Sequence, residues 1–335
     1  MSSSRSRIRP FFRSLLALPL IALALGAAHA TASNADDFPR KPVHIIVPVS
    51  AGGSADKLTR ILADQLSVLW KQSVVVENIP GASGVLGAAR VAKAQADGYT
   101  LLQQGESLTL NSLMQPRLPY DADRAFTPII KAVVNPQVLV VNPATGIHDL
   151  REYLARASAR PESISLGLPT NGGIAHVAHE ILTQATGAKV NYIPYPGGAP
   201  AALDVLAGHT DATLITLAAV TEYVRAGKLR ALAVTTPYRS QTLPLVPTVA
   251  EAGGPANYAV ESWQGYFAPA GTPPAIVDRI NRDMQTVLQS REVRAQLENL
   301  GYRINGGSPG ELAKGLQQER PLYAKAIQTA GMQLR

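Results

Sequence analysis

The stretch VHIIVPVSAGGSADKLTRILADQL, residues 43–66, decides how the whole chain is read. A short apolar run ends at Pro48, a loop centred on Gly52, Gly53 and Ser54 follows, and a helix is expected from near Asp56. Leu58, Ile61, Leu62, Leu66 and Leu69 recur at helical spacing, which gives that helix one apolar face. Strand, glycine loop and helix start aim free backbone N–H groups at one spot, and that suits an anion. The anion is either a nucleotide phosphate or a small carboxylate.

The N-terminal residues bear on that choice. Arg5, Arg7, Arg9 and Arg13 form a basic region, Leu15 to Leu25 an apolar core, and GAAHA follows with small residues at Ala28 and Ala30. This is the layout of a secretory signal peptide over residues 1–30, with cleavage expected after Ala30 or Ala32. The apolar run is too short to span a bilayer, and Pro19 interrupts it. The protein is therefore expected in the periplasm.

Export changes the charge argument. The whole chain carries 31 Lys and Arg against 24 Asp and Glu, a net +7. Residues 1–30 hold four arginines and no acid, so the mature chain is left with +3. That is not the gathered basic face a nucleic-acid partner needs. The chain has no cysteine, which excludes a disulfide framework, a thiolate nucleophile and a zinc–thiolate site. With 46% hydrophobic and only 16% charged residues, the composition is that of a body with a large buried core.

From Phe38 onward, strand-like and helix-like patterns alternate, which argues for α/β architecture with mainly parallel sheets flanked by helices. SVVVEN (73–78) and GYTLLQQG (98–105) read as the next strands, and FTPIIKAVVNPQVLVVNP (126–143) as two further extended segments. After Pro143 the rhythm restarts with a second βαβ set. Mature length near 300 residues suggests two domains. The chain is expected to cross outward near Val138–Val141 and to return near Val260–Tyr266. Lobe 1 is then 38–138 plus 262–335, with the C-terminal helices packed on it, and lobe 2 is 139–261. Two lobes joined by two crossing segments make a hinge that closes on a ligand.

Three loops share one physical character: SAGGSAD (50–56), PGASG (80–84) and PTNGG (169–173). Each combines glycine with Ser, Thr or Asn just before a helix, so the backbone can approach a ligand and hydroxyl or amide groups add donors. Glycine there also serves tight turns, and Ser or Asp also serves as an N-cap. Asp56 reads first as a cap or a brace of its own loop, because a carboxylate beside a bound anion would repel it. No Gly-Lys-Ser or Gly-Lys-Thr follows Gly53 or Gly84, and GASGVLG has the wrong glycine spacing for a dinucleotide fold. There is no G-x-S-x-G nucleophile turn. His176 and Glu180 stand four apart on one helix face, but without a third ligand they do not make a metal motif. His176 is expected to brace the PTNGG loop or to donate to ligand, and His179 to be a surface or packing residue. No cofactor and no metal are expected.

The chain also resembles a known family. PVSAGGSAD, GASG with VAKAQADGYTLL, LPYD, TNGGIAHVAHE, YIPYPGGAPAALDVLAGHTDA, GKLRALAVTT, VPTVAEAG and APAGTP occur in an order similar to that of the Bug-type receptors. These are the extracytoplasmic solute-binding proteins of tripartite tricarboxylate transporter systems. The resemblance implies a two-lobed, periplasmic-binding-protein-like flytrap with a small carboxylate in the cleft. It implies that Ser50, Gly52, Gly53, Ser54 and Asp56 of one loop face Thr170, Asn171, Gly172 and His176 of another. Ser83, Ser107, Tyr195 and Gly197 would complete the cleft. The expected partners are the carboxylate and the membrane subunits of such a transporter, with the receptor a monomer.

Three departures from the family pattern bear on ligand identity. Val49 stands where an aromatic residue often does, the histidine loop reads TNGG before Ile174, and Pro196 replaces a lysine. The competing readings are a secreted α/β hydrolase, which lacks a recognisable nucleophile set, and a sensor that reports to a signalling partner.

Overall fold

The structure is a computed structural model that describes residues 37–115, 117–329 and Met332. The expected signal peptide lies outside the described residues. The first half of the chain supplies β1 (Val43–Val47), α1 (Ser54–Trp70), β2 (Val74–Asn78), α2 (Val85–Ala92), β3 (Thr100–Gly105), α3 (Ser107–Met114), β4 (Phe126–Val141) and α4 (Leu150–Ala159). Then come β5 (Ser165–Leu168), α5 (Ile174–Thr186), β6 (Asn191–Pro194), α6 (Gly198–Ala207), β7 (Ala212–Thr216), α7 (Leu217–Arg225) and β8 (Arg230–Val234). The chain ends with β9 (Glu261–Pro269), α8 (Pro274–Gln289), α9 (Arg291–Leu300), β10 (Arg303–Gly306) and α10 (Pro309–Thr329).

α1 shows why the opening stretch folds as it does. Leu58, Leu62 and Leu66 recur at i, i+4 and are fully buried, and Trp70 takes the last turn of the same stripe. Leu69, expected on that face, is instead exposed. The helix stops at Lys71, whose φ of 52° is left-handed and cannot continue an α-helix.

All ten strands form one continuous sheet, ordered β2-β1-β3-β9-β4-β7-β5-β6, with β8 and β10 also paired to β4. β1 runs parallel to β2 and β3, and β5 runs parallel to β6 and β7. The centre is antiparallel, because β4 and β9 carry the chain across and back.

β4 is one strand of 16 residues, not two segments. Up to Pro136 it pairs with β9; from Gln137 it pairs with β7. Proline removes a ladder donor, so Pro128 and Pro136 stand against an unbroken strand. The strand accommodates them beside register shifts near Pro128–Ile130 and at the exchange of partners. On the return, Val260 N–H donates to Thr235 at 2.9 Å and β9 begins at the next residue.

Each half of the sheet has its own core. Val43, Leu58, Leu101 and Tyr266 pack with Ile276, Ile280, Met284 and Leu297 of α8 and α9 on one side. Leu139, Tyr153, Leu166, Ala178 and Leu214 pack together on the other. α10 leans on the first half through Leu312, while Ile327 near its end joins Ile174 and Val177 of α5. That last contact ties the two halves together.

Candidate functional site

A cavity of about 110 Å³ lies where the halves meet. Its lining residues come from the C-terminal ends of β3 and β7, the start of β9, the middle of β4 and the N-termini of five helices. Crevices at strand C-termini are where open α/β sheets bind ligands, because the loops there are free to vary.

The helix starts have a common peculiarity. α1 begins at the cavity after Gly53, α3 after Glu106, α5 after Gly173, α6 after Gly197 and α7 after Thr216, and none of these residues caps its helix with a side-chain hydrogen bond. Of the helices that begin elsewhere, α4 and α9 are capped, with Asp149 accepting from Glu152 N–H and Ser290 from Val293 N–H, whereas α2 after Gly84 and α8 after Pro273 are not. The first N–H groups of a helix have no intrahelical acceptor and carry partial positive charge. Lys57 N–H is the first in α1 to bond back, to Gly53, and Val177 N–H the first in α5, to Gly173. The three N–H groups before each stay open toward the cavity end of the helix. Among the described residues no Lys, Arg or His lines the cavity, and the partial positive charge on its lining is that of backbone N–H groups.

The side chains around it are amides and hydroxyls: Gln103, Gln104, Gln137 and Gln264, with Ser54, Ser107, Thr170, Thr216 and Ser262. Ser54 Oγ accepts from Thr216 Oγ1 at 2.8 Å and from Gln264 Nε2 at 3.0 Å. Gln104 Nε2 and Gln264 Oε1 are buried without partners. Among the described residues, Glu106 is the only ionisable side chain on the wall. It is 5% exposed, accepts from Ser262 Oγ at 2.9 Å and Trp263 N–H at 3.1 Å, and burial pushes its pKa up to about 7.

Of the residues singled out in the sequence, Gly53, Ser54, Ser107 and Thr170 line this cavity. Ser83, Asn171 and Tyr195 line a neighbouring cavity of about 200 Å³, which shares Val49 and Thr170 with the first. Ser83 Oγ donates to Asn171 C=O at 2.8 Å, and Ser50 N–H and Oγ both reach Pro196 C=O at 3.1 Å. Gly197 sits under that contact with φ of 148°, its α-carbon so close that an added Cβ would lie 3.0 Å from Ser50 N. These bonds join the two halves of the sheet around the cavity.

Four singled-out residues, Gly52, Asp56, Gly172 and His176, act behind the wall. Gly52 N–H donates to Asp56 Oδ2 at 2.8 Å, and Arg60 approaches Asp56 Oδ1 at 2.9 Å. Burial opposes the charge on Asp56, yet Arg60 and the Gly52 N–H outweigh it and hold the carboxyl below its ordinary pKa. Gly172 N–H donates to His176 Nδ1 at 3.2 Å, so this histidine braces the PTNGG loop as a neutral acceptor. Burial pushes its pKa down to about 4. His179 is fully buried between the hydroxyls of Tyr153 at 2.9 Å and Tyr192 at 2.8 Å. Among the described residues no group of His, Cys, Asp and Glu is arranged to hold a metal ion.

Sequence reasoning missed the glutamines, Glu106, Thr216 and Ser262–Gln264. None belongs to a motif. A usable signal was position: Gln103 to Glu106 directly follow the apolar part of β3, where an open α/β sheet forms its crevice.

Comparison with known proteins agrees with this geometry. BugT of Bordetella pertussis is 36% identical over 311 residues, which span 92% of this chain and 95% of BugT. Rpa4515 of R. palustris, solved with adipate, superimposes with a TM-score of 0.85 at 34% identity, covering 88% of this chain and 99% of that one. MatC of Rhodopseudomonas palustris, solved with bound malate, gives 0.82 at 28% identity over 87% and 100%. A two-lobed α/β body with its cavity between the lobes, in that company, is a solute-binding receptor and not an enzyme. Residues 58–332 match the family described as the tripartite tricarboxylate transporter family receptor, and the chain belongs to it.

Proposed function

We propose that this receptor captures a small carboxylate in the cavity between its lobes and delivers it to the membrane subunits of a tripartite tricarboxylate-type transporter. The observation that carries the reading is the set of five uncapped helix starts around a cavity without a basic side chain. Open N–H groups at helix starts suit a compact anion, and a carboxylate is compact enough for about 110 Å³. The adipate and malate in the related structures support the same ligand class.

The lobes are 38–138 plus 262–335 and 139–261, with the hinge in β4 and at the start of β9. Gly53, Ser54, Ser107 and Thr170 touch the ligand. Ser50, Ser83, Asn171, Tyr195 and Gly197 form the seam that closes over it, and Gly52, Asp56, Gly172 and His176 hold the two loops in shape. Open lobes admit solute; ligand contacts from both sides exist only when shut, so binding shifts the population toward the closed form. The closed shape is what the transporter recognises. The receptor works as a monomer in the periplasm, exported by residues 1–30.

A thermal-shift screen against mono-, di-, tri- and aromatic carboxylates tests the reading. A ligand at about 100 times its dissociation constant adds roughly 2.7 kcal/mol and raises the midpoint by a few degrees. Recovery of the ligand unchanged is expected. Turnover of the ligand, or no shift with any carboxylate, contradicts it.

A further inference from the structure

The helix starts explain how a carboxylate is held, but not what the acceptor side chains of the lining recognise. Glu106, at the start of α3, and Gln264 of β9 both have unmet capacity. Gln264 Oε1 is buried and has no partner. Glu106 is met by Ser262 Oγ, by Trp263 N–H and by its own backbone N–H, while a carboxylate offers about four acceptor sites. No cation answers it from the cavity wall. Behind it, Glu319 of α10 adds negative potential, and Glu319 is itself held by Trp263 Nε1 at 2.8 Å and by Lys131 of β4 at 3.4 Å. Tyr323 of α10 packs against the same carboxylates with its phenol neutral. A second ionised carboxylate placed beside Glu106 meets repulsion and finds no compensating charge.

We propose that Glu106 is the specificity-determining residue of the cavity: it accepts a hydrogen bond from a donor on the ligand and rejects a second ionised carboxylate. The preferred ligand is thus a carboxylate whose other end carries a hydroxyl, an ammonium or a protonated carboxyl group. This rests on the carboxylate reading and narrows it. The raised pKa of Glu106, about 7, agrees, because a diacid can then bind with one shared proton on the acid side of neutrality.

Matched probes separate the sources of the donor. Butanoate, 4-hydroxybutanoate, 4-aminobutanoate and succinate differ only at one end, as do hexanoate, 6-hydroxyhexanoate, 6-aminohexanoate and adipate. Titration calorimetry at about pH 8 is expected to show a hydroxy or amino acid binding at least about tenfold tighter than the diacid of its length. The diacid should gain about tenfold on moving to about pH 6, with proton uptake, as linkage to a group of pKa near 7 requires. Glu106→Gln should remove that pH dependence and bring the diacid level with the others. The wild-type pH dependence needs no variant, so a misfolded Glu106→Gln protein leaves the test intact. Diacid binding that is tightest at about pH 8, or a ranking unchanged in Glu106→Gln, overturns the role of Glu106 alone. No binding by any probe at either pH, in either protein, overturns the carboxylate reading and this inference with it.

Discussion

The hydroxyl of Thr216, at the start of α7, donates to the hydroxyl of Ser54, at the start of α1, across 2.8 Å. The two residues belong to opposite halves of the sheet, and each opens a helix whose first turn faces the cavity. Gln264 of the returning strand donates to the same oxygen at 3.0 Å. Ser54 thereby joins both halves and the crossing segment at one atom. With two donors already accepted, its own proton is left to give.

Ser54→Ala leaves the Gln264 and Thr216 donors without their acceptor in a buried site, which costs about 1–3 kcal/mol. A double-mutant cycle with Thr216→Val should return a coupling of roughly 0.5–3 kcal/mol by chemical denaturation. Simple additivity of the two changes means the bond contributes nothing to holding the lobes together.

Gly53→Val is expected to spare the fold and abolish binding. Gly53 has φ of −76°, open to any residue, and an added Cβ stands 3.5 Å from Ala199 N, an ordinary contact. Loss of a glycine N-cap costs about 1 kcal/mol. The two further methyls, however, project between the starts of α1 and α6. An unaltered ligand-induced midpoint shift in a folded variant would remove Gly53 from the site.

His176 should make the protein sensitive to mild acid. Its folded pKa, about 4, lies below the ordinary value of 6.5, so the unfolded chain takes up the proton first as pH falls. Stability from its neutral form is fully present above about pH 6.5 and is lost progressively toward about pH 4. His176→Asn should lessen the acid slope by about 1.4 kcal/mol per pH unit across that window. Equal slopes in both proteins mean that His176 is not held neutral by the fold.

Glu106 has the opposite sign. Its folded pKa is raised to about 7 from 4.5, so the unfolded chain loses the proton first as pH rises. The wild type should therefore lose stability relative to Glu106→Gln between about pH 4.5 and 7, by on the order of 3 kcal/mol in total. Parallel curves from denaturation at several pH values contradict the burial of an unpaired acid.

Much of this architecture was legible because local pattern and tertiary need agree. The Leu58–Leu62–Leu66 stripe, the βαβ rhythm and the glycine junctions at Gly53 and Gly173 all follow from spacing. β4 was not legible as one strand, since Pro128 and Pro136 are tolerated only through register shifts and a change of partner that no local pattern reveals. α3 is two turns long, with Ser, Thr and Asn among its leucines, too short to show a period. The site divides the same way. Loops that offer backbone announce themselves by glycine, whereas Glu106 and Gln264 gain their meaning from burial against β9, α10 and α1, which only the folded chain supplies.

The central claim is that backbone at helix starts, without a basic side chain, holds the ligand. A crystal structure of the protein with its tightest carboxylate tests it most directly. Carboxylate oxygens are expected within hydrogen-bond distance of N–H groups in the first turns of α1 and α5, with no lysine or arginine in contact. A carboxylate seated elsewhere, or paired with a basic side chain, contradicts it.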